Sequence, residues 1–309
     1  MLNRRSMIAA AFALGLVAPA AAQDKLPVVA SFSILGDFAK QVGGDRVNVT
    51  TLVGPNGDAH VFQPAPADAK KLAAAKVVFV NGLGFEGWID RLVKASGTKA
   101  EIVTATSGVA SRQMAEEEGH DAHANDAKHA HDHGETDPHA WQSVANAKIY
   151  IANIRDGLIA ADPEGRATYD VNAAAYLAKL DALDTRVKEA VAVIPAAKRR
   201  IITSHDAFGY FGAAYGIEFI APQGVSTEAE ASAKDVAKIV RQIKAEKIPA
   251  VFVENISDPR LVDRIAKETG AKIGGTLYSD ALSDDKGPAS TYIDMIQNNI
   301  RELSSALSS

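Results

Sequence analysis

The chain has 309 residues, 47% hydrophobic and 23% charged, a composition that excludes wholesale disorder, collagen-like repeats and a polytopic membrane protein. Lys and Arg number 33 against 38 Asp and Glu, so the formal charge is −5 and no basic excess points to a nucleic-acid partner. Cysteine is absent, which removes disulfides, thiol nucleophiles, Cys-type zinc sites and anchoring through a lipidated cysteine.

Residues 1–22 read as an export signal. Arg4 and Arg5 make a short basic start, Met7–Val17 is an apolar run, and Ala20-Ala21-Ala22 supplies the cleavage pattern, with a mature start near Gln23 and a periplasmic destination. The alternative, a retained anchor, needs a longer apolar run than this one. Asn3-Arg4-Arg5-Ser6-Met7 matches a twin-arginine signal only weakly, which leaves the export route open.

Beyond the signal, the expected fold class is α/β: two (β/α) lobes with mainly parallel sheets joined by one long rigid helix. Residues 23–161 form the first lobe. Its strands are expected at Val28–Ser33, Val47–Val53, Val77–Asn81 and Glu101–Thr106, with helices at Ile34–Val42, Ala67–Ala75 and Gly87–Ala95. Residues 162–195 read as the linking helix. Tyr169, Ala173, Tyr176, Leu180, Leu183, Val187, Val191 and Ile194 recur at spacings of three and four, and the stripe ends before Pro195. Asp162 is the expected N-cap, and at 1.5 Å per residue the striped span reaches roughly 39 Å. Two shorter helices inside one domain are the alternative. Residues 196–309 form the second lobe, with strands at Arg200–Ser204, Glu218–Ala221, Ala250–Glu254 and Lys272–Leu277. A helix is expected at Ala233–Lys247, opened by a Ser232/Asp235 capping pair.

An offset of 173 residues aligns Ser31-Phe32-Ser33-Ile34-Leu35-Gly36-Asp37-Phe38 with Ser204-His205-Asp206-Ala207-Phe208-Gly209-Tyr210-Phe211. This faint internal echo implies related lobes, and His205 replaces Phe32 in the second copy.

The chemistry is carried by histidines. Five of the eight, His120, His123, His129, His131 and His133, fall in Glu116–Asp137 among eight acidic residues and almost no large apolar ones. Such a segment is expected to be a flexible loop that binds transition metals weakly; a solvated acidic linker is the plainer alternative. His60 follows the second strand in Asp58-Ala59-His60-Val61-Phe62, His139 sits in Asp137-Pro138-His139-Ala140-Trp141, and His205 ends a strand in Ser204-His205-Asp206. Asp280 follows the last strand. Ligands of open parallel sheets bind beyond the carboxyl ends of strands, so these four can converge. Three imidazoles and one carboxylate suit Zn²⁺. Asp137, Asp206 and Glu254 are candidates for orienting ligand rings, although capping or solvent-facing roles suit them equally, and they stand outside the ligand set.

These segments, in this order along the mature chain and with Leu277-Tyr278-Ser279-Asp280 closing the series, make the sequence resemble the zinc-binding proteins of bacterial ABC importers, the ZnuA/AztC type among TroA-like cluster A-I solute-binding proteins. The resemblance implies metal held in the cleft by His60, His139, His205 and Asp280. It also implies delivery to a membrane permease and its ATPase, and Zn²⁺ as cargo rather than as a catalytic cofactor. Manganese-binding relatives usually carry Glu where this chain has His205, which tilts the reading to zinc. The family varies in its fourth ligand, so Asp280 is the least secure. The insert is expected to aid metal acquisition, with a periplasmic zinc chaperone a possible donor. The protein is expected to be a monomer and not an enzyme.

A metal buffer or metal-dependent adhesin is the alternative from another class. A zinc hydrolase is disfavoured by the lack of a His-Glu-x-x-His pair and of a general base. Capture is expected to weaken as pH falls through roughly 7.5 to 5, the range of ordinary histidine.

Overall fold

The computed structural model describes residues 24–113 and 136–307. The export signal over residues 1–22 and the insert histidines His120, His123, His129, His131 and His133 lie outside the described residues.

The first lobe holds β1 (Leu26–Phe32), β2 (Val47–Val53), β3 (Val77–Val80) and β4 (Glu101–Thr104), all parallel, in the order β2-β1-β3-β4. The central strands β1 and β3 are nearly continuous apolar runs buried on both faces, whereas edge strand β4, Glu-Ile-Val-Thr, stays half-exposed. Helices α1 (Ser33–Gly43), α2 (Pro66–Ala74) and α3 (Ile89–Ser96) make the crossovers. A two-residue antiparallel ladder, β5 (Arg112–Gln113) with β6 (Thr136–Asp137), then leads into α4 (Val144–Ala161).

The second lobe holds β7 (Arg200–Ile202), β8 (Glu218–Ile220), β9 (Ala250–Glu254) and β10 (Lys272–Leu277) in the order β10-β9-β7-β8, again parallel. Helices α6 (Gly209–Tyr215), α7 (Ala233–Glu246) and α8 (Pro259–Thr269) connect them. Both sheets therefore share one connectivity, the first strand flanked by the second and third and the fourth outermost. The 173-residue offset carries β3 onto residues 250–253 of β9 and β4 onto residues 274–277 of β10. At Gly274 a Cβ would lie 2.2 Å from the Phe252 ring, so only glycine lets that ring pack on β10.

Helix α5 (Arg166–Ala192) runs between the lobes for 27 residues, about 40 Å at 1.5 Å per residue. Its buried stripe is Tyr169, Ala173, Tyr176, Leu180, Leu183, Val187 and Val191. Two details differ from the sequence expectation. A 3-10 turn at Pro163–Gly165 precedes the helix, and Ile194 lies beyond its end. The Asp162 side chain also makes no cap bond: its carboxylate instead accepts from Arg46 Nε, 116 residues away, at 2.9 Å and from Tyr169 Oη at 2.6 Å. The Ser232/Asp235 capping pair opens α7 as expected.

Helices α8 and α9 (Tyr292–Leu307) had no counterpart in the sequence reading. Helix α9 returns to the first lobe, where Tyr292 donates its backbone N–H to Asp37 Oδ2 at 2.9 Å and its hydroxyl to the Trp141 carbonyl at 2.7 Å. One apolar core thus runs unbroken from β1 and α1 through α4 and α5 to α9, and a smaller one fills the far side of the second lobe beneath α7 and α8.

Candidate metal centre

His60 hangs from the loop after β2. The loop turns at Asn56, which adopts φ of 54°, and Asp58 Oδ1 accepts the His60 backbone N–H at 2.9 Å. Trp88 Nε1 donates to the Ala59 carbonyl at 2.7 Å and fixes the segment from below. The other carboxylate oxygen of Asp58 accepts from Thr227 Oγ1 of the second lobe at 2.6 Å.

His139 follows β6. Asp137 Oδ1 accepts its backbone N–H at 3.0 Å and lies 2.9 Å from its Nδ1, so Nε2 faces the lobe junction. Buried Asn81 bonds the Pro138 carbonyl at 2.9 Å. Trp141 Nε1 and Gln142 Nε2 both donate to the Ser279 carbonyl, at 2.9 and 2.7 Å, tying this segment to the loop that carries Asp280. His205 stands just past β7. Glu254, at the end of β9, accepts the backbone N–H groups of Ser204 and His205, each at 2.8 Å, and its Oε2 lies 2.7 Å from His205 Nδ1.

The four residues meet. His60 Nε2 lies 3.3 Å from His139 Nε2 and 3.2 Å from Asp280 Oδ2. His205 Nε2 is 3.1 Å from the same oxygen, and His139 Nε2 is 3.5 Å from Asp280 Oδ1. One ligating atom from each falls within 4.8 Å of all the others. His139, His205 and Asp280 are fully buried, and His60 is 6% exposed. A tetrahedron of ligands about 2.05 Å from its centre has edges of about 3.3 Å; the four separations just given are near that length, and the remaining pairs lie within 4.8 Å. The rings of Phe85 and Trp141 pack edge-on against His60 and His139, at 4.7 and 5.3 Å between centroids, and keep water from that side.

The electrostatics favour a cation. Burial by itself would hold His139 down, but Asp280 and Asp137 beside it outweigh that and hold it up at about 9. Burial is likewise overcome at His205, which Glu254 and Asp280 raise well above the ordinary histidine range. Asp280, despite burial, is held well below the usual carboxylate range by His139 and His205. Three carboxylates around three imidazoles thus create a site that demands positive charge, as protons or as metal.

Of the three candidate orienting groups, Asp137 and Glu254 contact the rings of His139 and His205. Asp206 makes no hydrogen bond or ion pair to a histidine ring among the described residues; it lines a cavity together with Arg112, Phe208 and Gly209. The aromatic wall and the interlobe bonds to Ser279 were not read from the sequence, because they join residues far apart along the chain.

Potential ligand atoms drawn from both lobes to one buried point are the arrangement of a class: two-lobed binding proteins that hold a ligand at the lobe junction. The family described as zinc-uptake complex component A, periplasmic, matches residues 28–306. The manganese-binding lipoprotein MntA of Halalkalibacterium halodurans is 33% identical over 285 residues, covering 92% of this chain and 89% of that protein. The manganese ABC transporter substrate-binding lipoprotein PsaA of Streptococcus pneumoniae is 32% identical over 290 residues, with 92% and 89% covered. Among solved structures, the periplasmic zinc-binding protein TroA of Treponema pallidum superposes with a TM-score of 0.83 at 29% identity, covering 92% of this chain and 99% of that one. The chain belongs to this ZnuA/TroA-like family of metal-binding components of ABC importers, which are binding proteins and not enzymes.

Proposed function

We propose that the protein captures Zn²⁺ in the periplasm through His60, His139, His205 and Asp280 and delivers it to an ABC permease driven by its ATPase. The observation that carries this reading is the convergence of three imidazole nitrogens and one carboxylate oxygen within 4.8 Å. That donor set is nitrogen-rich and four-membered, with spacings that suit a tetrahedral ion of zinc's size. Manganese prefers more oxygen ligands. The description of the matching family agrees with zinc.

Capture and release follow from the placement of the ligands. His60 and His139 belong to the first half of the chain and His205 and Asp280 to the second, so a shift between their supporting loops takes the site apart without unfolding either sheet. Docking on the permease supplies that shift. His60 sits at the mouth of the site and is the first ligand to reach an incoming ion. The insert histidines His120, His123, His129, His131 and His133 serve as a weak accessory store or as a point of transfer from a zinc chaperone.

A second reading, Mn²⁺ or Fe²⁺ as cargo, is favoured by the names of relatives: manganese for MntA and PsaA, and iron for YfeA of Yersinia pestis. Competitive titration of the metal-free mature protein with Zn²⁺ and Mn²⁺ separates the two. The expected result is one tight zinc site that survives deletion of residues 116–133, which spares Asp137 behind His139, is lost in His205→Ala, and outcompetes Mn²⁺ by more than about 100-fold. Tight binding that vanishes with the insert and ignores His205 would instead identify a His-rich metal buffer.

A further inference from the structure

We propose that Arg112 is a positioning residue that weakens the hold of the site on its metal, by engaging the carboxylate that backs His139. This rests on the assignment of His139 and His205 as ligands. Asp137 spends one oxygen, Oδ1, on His139. Its other oxygen, Oδ2, is buried and accepts no hydrogen bond among the described residues. Arg112 Nε faces that oxygen at 3.8 Å.

The surroundings hold this pair in place. A Cβ on Gly209 would lie 2.6 Å from Asp137 Oδ2 and 3.2 Å from Arg112 Nε, so glycine at this position leaves the room in which carboxylate and guanidinium face each other. Tyr210 accepts the Arg112 backbone N–H at 2.9 Å, donates to the Asp137 carbonyl at 3.2 Å, and lies under the guanidinium at 5.8 Å from ring centroid to Cζ. Arg112 also lines the cavity beside Asp206, the residue next to ligand His205, and its charge acts on that carboxylate as well. One guanidinium therefore faces the carboxylate that backs His139 and acts, less strongly, on the acid that follows His205 in the chain.

A carboxylate behind a ligand imidazole makes the ring a better donor and adds negative potential at the metal. A cation on that carboxylate takes back part of both effects. The guanidinium is about two-fifths exposed, so its field is screened and the effect is moderate. For a carrier this is useful: affinity below the maximum that the donor set allows speeds release.

The test is Zn²⁺ titration by competition with a chelating dye, together with stopped-flow release into excess chelator. Wild type, Arg112→Ala, Arg112→Gln and Arg112→Lys are compared at low and high salt, with His205→Ala as the control for the site itself. The expected result is binding tightened and release slowed about three- to tenfold in Arg112→Ala and Arg112→Gln. Arg112→Lys should stay close to wild type, and the difference should shrink toward unity near 1 M salt. If Arg112 only props up Tyr210 and the ladder, the neutral variants bind more weakly and salt leaves the difference untouched; that result, or no change at all, overturns the proposal. Zinc binding that ignores His205 would defeat the site assignment itself, a failure that the control shows separately. Melting curves in chelator verify that each variant is folded.

Discussion

At the scale of single residues, the site is a competition between protons and metal. His139 is held at about 9 by Asp280 and Asp137 against the pull of burial, and His205 lies well above its ordinary value. A metal ion must displace those protons. Capture should therefore weaken as pH falls from about 9, by up to about tenfold per pH unit for each proton displaced, so the roughly 7.5 to 5 window expected of ordinary histidine is too low. Calorimetric titration at pH 7 in two buffers of different ionisation enthalpy should show net proton release; identical heats would contradict it. The metal-free protein has the opposite sign. Stability from a histidine raised in the folded state is fully present below about 6.5 and is lost as pH rises through about 9, so the metal-free protein should melt at a lower temperature at pH 9.5 than at pH 6.5. The carboxylates behind the rings carry a separate prediction. Asp137→Asn keeps the shape but removes the charge behind His139, and zinc affinity measured by chelator competition should fall about 10- to 100-fold.

At the scale of elements, strand ends and short turns do the positioning. Gly209, at the start of α6, has Asp137 Oδ2 packed where a Cβ would stand. Gly209→Ala should push that carboxylate off His139 and weaken zinc binding, while Ser232→Ala should leave binding unchanged. Ser232 only caps α7, and its loss should cost about 1 kcal/mol, read as a small drop in melting temperature. The elements were legible in the sequence where local pattern decides them. The continuous apolar runs of β1, β3 and β9 and the long stripe of α5 needed no tertiary information. Helix α9 escaped, because its reason for forming is the groove that it fills between α1, α5 and β10, and the groove exists only in the folded molecule. Asp162 shows the same limit. Its local sequence reads as a cap, yet Arg46, 116 positions away, takes its carboxylate.

At the scale of the whole molecule, the two sheets share one connectivity, but the lobes are not free bodies. The core runs without a break through α1, α4, α5 and α9, and Tyr292, Trp141 and Gln142 bond across the junction. Interfaces this apolar resist hinge opening. Removal of zinc should therefore change the radius of gyration in solution scattering by less than about 1 Å, with the rearrangement confined to the loops that carry His60, Asp58 and Thr227. A large opening would show that the continuous core is no brake.

The sequence by itself determined the α/β class, the chain order of the strands in the two parallel sheets, the linking helix, and the four residues that meet at the junction. Each of these follows from periodicity or from residue type at a strand end, which are local properties. Only the tertiary structure decided which acids stand behind which rings, with Asp137 and Glu254 bonded to histidine rings and Asp206 to none among the described residues, and that the lobes share one core. Those outcomes depend on distances between residues remote in the chain, set by how two sheets and a helix pack, and no pattern within a single segment encodes them.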